Sequence, residues 1–317
     1  MSNYIGIDLG GTAVKLGIVN MKGEIVETVE VPTLAETNSA DKIYRNISQA
    51  VGALLEKSGG DKIKGIGIGC PGSISPEEGT IVSGISNIPA LNGFPLAREI
   101  EHDFKIPTFI DNDANNAARG EFLFGAGTGK KNFIMITLGT GIGGAIFING
   151  DLYGGVNNYA GEVGHMIIIV NGLQCTCGSM GCWEAYGSAT SMIKRAKALV
   201  ERGIKTSLLK HYPDDINAKV IVKEAAAGDM AAKEIIISTG KYIGIGLANL
   251  INIFNPELCI VGGGVSLAGE ILFKEILKYA QINTLPRAWD VVEIEQAKLG
   301  NKAGILGSAA LAYMKMK

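Results

Sequence analysis

The sequence predicts an α/β protein made of two related lobes with a cleft between them, and three observations carry that prediction. Tyr4 to Asn20 reads as apolar strand, glycine turn and apolar strand, with the turn at Leu9 to Thr12. Phe133 to Asn149 repeats that order, displaced by 129 positions (Tyr4 to Phe133), so one supersecondary unit occurs twice. Around and after the two copies, short apolar runs alternate with segments of helical period. A duplicated hairpin core implies a gap between two lobes, which is where ligands prefer to bind.

The elements follow in order. Asp41 to Lys57 carries apolar residues at Ile43, Tyr44, Ile47, Ala50, Val51, Leu54 and Leu55, an amphipathic helix stopped by Gly59-Gly60. Lys64 to Cys70 is a strand ended by Pro71-Gly72, and Ser83 to Gly93 is a polar loop. A strand from Pro107 to Ile110 runs into Asp111-Asn112-Asp113 and then a helix through Phe122. Further on, helices are expected near Ser188 to Arg202, Val220 to Ala227, Met230 to Phe254 and Gly269 to Tyr279, with a strand at Leu258 to Val261. An Ala-rich helix from Gly304 to Met314 returns to the first lobe, so the lobes are expected to be 1–115 plus 300–317, and 116–299.

Composition bounds the function. At 317 residues, 47% apolar and 19% charged, the chain is long enough for two well-buried domains. Its 44 glycines follow no collagen period, which points to tight turns and close backbone approaches. A net charge of -2 leaves no nucleic-acid footprint. The N-terminus shows no basic n-region, and the most apolar stretch, Ile243 to Val261, is interrupted by Asn249, Asn252, Asn255, Pro256 and Glu257, so no membrane span is expected. Five cysteines without a signal peptide fit a reducing cytoplasm.

His165, Cys175, Cys177 and Cys182, spaced H-x9-C-x-C-x4-C, supply the four donors of a closed tetrahedral Zn²⁺ site. A disulfide or plain buried thiols are the alternatives; the C-x-C spacing strains a local bridge. A closed zinc would brace the loop and do no Lewis-acid chemistry. Glu162, three residues before the histidine, and Glu184, two after the last cysteine, would be held as acceptors for sugar hydroxyls, unless both are merely surface charges.

Asp8 ends a strand beside Gly10, Gly11 and Thr12, with Lys15 close by in sequence. Glycine turns expose amides to phosphate oxygens, and a neighbouring carboxylate can hold Mg²⁺. The second copy offers Thr140, Gly141 and Gly143 in an equivalent turn, so two loops could grip one polyphosphate. Gly139 to Gly144 fits G-x-G-x-x-G, but a strand follows where a dinucleotide fingerprint needs a helix. Gly125 to Lys131 misses the P-loop spacing and its Ser/Thr. Gly263 and Gly264, after a strand, could pack against adenine or ribose. Asp113 is expected at a helix N-terminus, as a base or as a cap. In the context of the phosphate loops and the braced glutamates, the joint reading is phosphate transfer to a sugar hydroxyl.

These motifs, in this order and over essentially the whole length, resemble the ROK family of sugar kinases and sugar-sensing repressors, in its bacterial glucokinase-like branch. The resemblance rests on Asp8 to Thr12, Asn87-Ile88-Pro89, Asn112-Asp113-Ala114, Gly139 to Gly144, Glu162 to His165 and Cys175 to Glu184. It implies an actin-like ATPase (ribonuclease H-like) fold, ATP with Mg²⁺, structural zinc, a hexose substrate and a homodimer. By position, Asp113 would be the general base, while Asn87, Asn112, Glu162, His165 and Glu184 would hold the sugar. His165 would use one ring nitrogen for zinc and the other for a hydroxyl. Gly10, Gly11, Thr12, Thr140, Gly141 and Gly263 would line ATP, with Asp8 near Mg²⁺. Leu91 stands where many glucokinase-like members have Trp, which bears on the choice among glucose, N-acetylmannosamine, N-acetylglucosamine, fructose and allose. A repressor would need a helix-turn-helix ahead of Tyr4, and a non-catalytic sugar sensor would not need Asp8, Asp113 and both loops together.

Overall fold

The computed structural model describes residues 2–58, 62–83 and 88–317, so the Gly59-Gly60 helix stop and Asn87 lie outside the described residues. The chain divides into two units: Met1–Gly129 with Asp151–Ala160 and Lys298–Lys317, and Lys130–Gly150 with Gly161–Ala297.

Unit 1 begins β1 (Asn3–Leu9), β2 (Ala13–Asn20), β3 (Ile25–Pro32), α1 (Ala40–Lys57) and β4 (Ile63–Cys70). A small ribbon of β5 (Ser73–Ser75) and β6 (Thr80–Ser83) follows, then α2 (Leu96–Phe104), β7 (Thr108–Asn112) and α3 (Asp113–Phe124). The main sheet runs β3-β2-β1-β4-β7. Its first three strands form an antiparallel meander, and β4 and β7 add in parallel.

The alternation Ile5-Gly6-Ile7 and Ile66-Gly67-Ile68 explains how both faces of this sheet are covered. Strand periodicity sends the isoleucines to one face, where they are buried among Ile43, Ile47, Leu54 and Ile100 of α1 and α2. The glycines face the other way. There the C-terminal helix comes so close that a Cβ at Gly6 would overlap the Ile305 carbonyl, and one at Gly67 the Ser308 carbonyl.

Unit 2 holds β8 (Phe133–Leu138), β9 (Ile142–Ile148) and the helices α4 (Glu184–Gly187), α5 (Ala189–Glu201), α6 (Ala218–Ala226) and α7 (Met230–Phe254), while the two-residue edge strand β10 (Asp151–Leu152), which follows β9 in the chain, falls in the Asp151–Ala160 segment grouped with unit 1. β11 (Leu258–Gly262), α8 (Glu270–Asn283), α9 (Pro286–Trp289) and β12 (Glu293–Gln296) complete the order. Its sheet runs β10-β9-β8-β11-β12, with β8 and β9 antiparallel and β11 parallel to both β8 and β12. Both sheets therefore share the strand order 3-2-1-4-5, the ribonuclease H-like arrangement found twice in actin-like ATPases. The expected hairpin copies are β1–β2 and β8–β9, the founding strands of the two sheets.

α7 is capped by Asp229, whose carboxylate accepts from Ala232 N at 2.8 Å. It packs tightly on α8 through Gly240 and Gly244, where a Cβ would lie 2.8 Å from the Leu272 carbonyl oxygen and 2.6 Å from that of Ile276. Among the described residues, no helix is long and apolar enough to cross a membrane.

The last helix, α10 (Ala303–Lys315), groups with unit 1. The expected boundary at 115/116 falls inside α3, and unit 1 instead runs on to Gly129. The reason is packing: α3 and α10 meet at Gly120 and Gly307, where a Cβ on Gly307 would overlap the Asn116 carbonyl.

Candidate active site

In unit 1 the Asp111-Asn112-Asp113 turn is set by the register of β7 on β4, which pairs Cys70 with Asn112. Asn112, not Asp113, is the helix cap. Its Oδ1 accepts from Ala114 N at 2.8 Å and from Asn115 N at 3.4 Å, while its Nδ2 donates to Gly72 O at 3.1 Å. Asp113 is thereby the first residue of α3, solvent-accessible, with Oδ1 accepting from its neighbour Ala114 N at 2.9 Å. Water reaches this residue, yet the density of protein around it pushes its carboxyl above the usual carboxylate range; backbone N–H groups at the helix start pull the other way.

Asp8 lies close by. Burial raises its carboxyl, the Asp113 charge raises it further, and Lys15, its cross-strand partner in the hairpin, opposes both. Gly304 is required beside it, because a Cβ there would overlap the Asp8 carboxylate. The Gly10-Gly11-Thr12 turn is closed by Gly10 N to Ala13 O at 3.0 Å and tied to Thr33, which donates Oγ1 to Gly10 O at 2.7 Å. Beneath Asn112, Asp111 is buried and paired with Arg119 at 2.6 Å. Arg119 donates onward to Asn116 Oδ1 at 2.8 Å. This network is not legible in the sequence. Leu91 is fully buried in the unit 1 core.

In unit 2 the four expected metal donors come together. The ligand atoms of His165, Cys175, Cys177 and Cys182 all lie within 4.8 Å of one another. Cys175 Sγ is 3.8 Å from His165 Nδ1, and the Cys177 and Cys182 sulfurs are 3.7 Å apart. These spacings suit the edges of a zinc tetrahedron with roughly 2.3 Å bonds to sulfur. The chemistry of the set agrees. Burial, with the neighbouring thiols, pushes Cys182 up to about 12, whereas a backbone hydrogen bond from Ser179 leads in holding Cys177 below the usual thiol range. Three thiolates so close together repel unless a cation lies among them.

His165 turns its other nitrogen, Nε2, towards Glu162 Oε2 at 3.9 Å. The segment Glu162 to His165 is pressed onto β9: Gly161 adopts φ 94°, and a Cβ on Gly164 would overlap the Ile142 carbonyl. Glu184 follows Trp183, which is buried and donates Nε1 to Tyr242 O at 2.8 Å.

The glycine turns of unit 2 also converge. Gly263, at φ 84°, approaches the Leu138 backbone so closely that a Cβ would lie 2.5 Å from its nitrogen. Gly264 opens the short 3-10 turn that follows β11, and Leu138 leads directly into Gly139-Thr140-Gly141. Gly143 sits in the ladder of β9 opposite Thr137, outside that turn. Thr140 and Gly141 line a cavity of ≈ 390 Å³ together with Cys175, Thr176, Glu184 and Lys194. Sequence reasoning missed Thr176, the α5 N-cap Ser188 and the α5 residues Thr190, Ser191 and Lys194 on this cavity; the N-cap serine was the available signal.

A family model for ROK proteins matches residues 4–315. The chain belongs to the ROK family. Among ROK relatives, a glucokinase from Halalkalibacterium halodurans is 41% identical over 314 residues, spanning 97% of this chain and 94% of the relative. A ROK family glucokinase from Streptomyces griseus, solved with glucose and AMPPNP, superposes with a TM-score of 0.83 at 36% identity, covering 98% of this chain and 99% of that one. A ROK hexokinase from Thermus thermophilus gives 0.85 at 31%, covering 99% of both.

Proposed function

We propose that the chain is an ATP-dependent hexose kinase, a glucokinase, which moves the γ-phosphoryl group of ATP to the sugar 6-hydroxyl with Asp113 as general base. The observation that carries this reading is the division of labour at the start of α3: Asn112 takes the cap, which leaves the Asp113 carboxylate for chemistry. A carboxyl raised above the ordinary range is the better proton acceptor. Support also comes from the Streptomyces griseus glucokinase, a relative of closely similar fold that binds glucose and AMPPNP.

The roles then follow. Gly10, Gly11, Thr12 and Lys15 in unit 1, and Thr140, Gly141, Gly143, Gly263 and Gly264 in unit 2, serve ATP. Asp8 is the ligand for the Mg²⁺ that accompanies it; a cation offsets the burial, and after it the Asp113 charge, that raise the Asp8 carboxyl. Glu162, His165 and Glu184 accept sugar hydroxyls, Asn112 sets the Asp113 turn, and Asn87 joins them by resemblance. His165, Cys175, Cys177 and Cys182 hold a structural Zn²⁺, which supplies bracing and no open coordination position. Asp113 takes the hydroxyl proton as the oxygen attacks phosphorus, and positioning with charge neutralisation supplies the rest of the acceleration.

An ADP-release assay across glucose, mannose, fructose, allose, N-acetylglucosamine and N-acetylmannosamine tests the proposal. ADP release that needs ATP and is fastest with glucose is the expected result; a fastest rate with an N-acetylhexosamine reassigns the substrate, and none with any sugar ends the kinase reading. A homodimer belongs to the same reading, and sedimentation at the 33.2 kDa of a single chain would count against it.

A further inference from the structure

Glu184 is gripped from two sides within unit 2. Its Oε2 accepts from Ile142 N at 3.0 Å. That amide directly follows the Gly139-Thr140-Gly141 turn, which is closed by Gly139 N to Gly141 O at 3.0 Å. Its Oε1 accepts from Thr176 Oγ1 at 3.2 Å. Gly141 leaves no room for anything but the carboxylate, since a Cβ there would overlap Glu184 Oε2. The main chain of Glu184 cannot drift, because Trp183 before it is buried and its N–H donates to Met166 O at 2.8 Å.

Thr176 stands between two of the four metal donors, so its backbone is set by the loop that Cys175 and Cys177 set. Cys175 Sγ lies 3.8 Å from Glu184 Oε1, but with zinc held by the four donors its sulfur would be a thiolate with no proton to give. Thr176 is then the hydroxyl donor from the metal loop to this carboxylate. One carboxylate thus joins the metal loop to the glycine turn on the wall of a single cavity.

We propose that Thr176 is a positioning residue for hexose phosphorylation: its hydroxyl holds Glu184 against the Ile142 amide, so that sugar and nucleotide each tighten the binding of the other. This rests on the proposed function, with Glu184 as a sugar acceptor and Thr140–Gly141 as part of the nucleotide site. Coupling through one shared group is reciprocal by linkage and is typically about 5- to 150-fold.

The test uses the metal-loaded full chain and two variants, Thr176→Val, which removes the hydroxyl at nearly constant shape, and Thr176→Ser, which keeps it. Calorimetry gives the Kd of AMPPNP with and without saturating glucose, and of glucose with and without AMPPNP; metal content and steady-state kinetics accompany it. We expect the unmodified chain to show mutual tightening. Thr176→Val should bring the coupling close to one and raise the glucose KM about 3- to 10-fold, with kcat changing less and zinc retained; Thr176→Ser should behave as the unmodified chain. The inference is overturned by an unmodified chain without coupling, by Thr176→Val matching the unmodified chain, by both variants failing alike, or by Thr176→Val losing its zinc. An unmodified chain that releases no ADP with any hexose refutes the proposed function instead, which separates the two failures.

Discussion

Replacing Arg119 with methionine tests how the turn that presents Asp113 is held. Asp111 and Arg119 are 1% and 6% exposed, so the pair is shielded from water. Asp111 Oδ2 takes Arg119 Nη2 at 2.6 Å, and Oδ1 takes Asn112 N at 2.7 Å, Asn158 Nδ2 at 2.9 Å and Asn115 Nδ2 at 3.1 Å. Methionine keeps much of the stem and removes the charge, leaving a buried carboxylate with neutral donors only. Breaking such a pair from one side costs about 3–5 kcal/mol. For a domain of this size that is about 6–20 °C in Tm.

The pH dependence has a definite sign. Burial pushes Asp111 up, but Arg119 and the Asn158 and Asn115 hydrogen bonds outweigh it, so the folded pKa lies below the unfolded value of about 3.9. A lowered carboxyl stabilises the fold above the unfolded pKa, and this contribution is lost as pH falls through the folded one. In Arg119→Met, burial acts against fewer opponents, so the variant gains less stability than the parent as pH rises. Calorimetric melts should therefore show the widest gap between the two proteins near pH 7 and a narrower one at pH 4. Asp111→Leu combined with Arg119→Met should be more stable than Arg119→Met alone. A single variant within about 1 kcal/mol of the parent at pH 7 would refute the reasoning.

Asp113→Asn should lower kcat about 10²- to 10⁴-fold while the glucose KM stays within about threefold. Because the protein packed around Asp113 raises its carboxyl and the base must be ionised, kcat/KM of the parent should fall on the acid side above the ordinary aspartate range; a pH–rate profile in which the Asn variant keeps that limb would reassign the base. Cys177→Ser should lose zinc by elemental analysis and weaken glucose binding, and a strong chelator should do the same to the parent; full metal content with unchanged KM would end the bracing role. Gly164→Ala forces a methyl onto the Ile142 carbonyl, an overpacking cost of about 1–3 kcal/mol. It should displace Glu162 and His165 and raise the glucose KM; a melt and a KM both equal to the parent's would show that the segment can yield.

The duplicated hairpin is legible because strand, glycine turn and strand are local patterns, and they survive in β1–β2 and β8–β9. The repeat fades beyond them for a physical reason: β3 has eight residues where β10 has two. The metal donors are legible from spacing alone, since a tetrahedron needs only four soft side chains within reach. Other features depend on partners distant in sequence. Asp111-Asn112-Asp113 offers three candidate caps, and only the register with Cys70 assigns the role to Asn112. Asn115, Asn116, Arg119 and Glu121 look like a solvated helix face, yet all are buried in unit 1, where Asn116 meets Ser308 across 3.3 Å. Leu91 reads as a loop residue and is core. Thr176 is silent in the sequence, because its purpose appears only once Glu184 folds back beside it.

The glycine face of β1 and β4 waits for a helix encoded beyond the whole of unit 2. While the ribosome is still making residues 130–297, the first sheet has one side bare, and Tyr4 and Val19 lack the Ile305, Leu306 and Ala309 that later cover them. Unit 1, which carries Asp113, therefore cannot be completed until residues 298–317 have been made. Until α10 docks, the glycine-lined face of β1 and β4 stays uncovered, and the helix closes it.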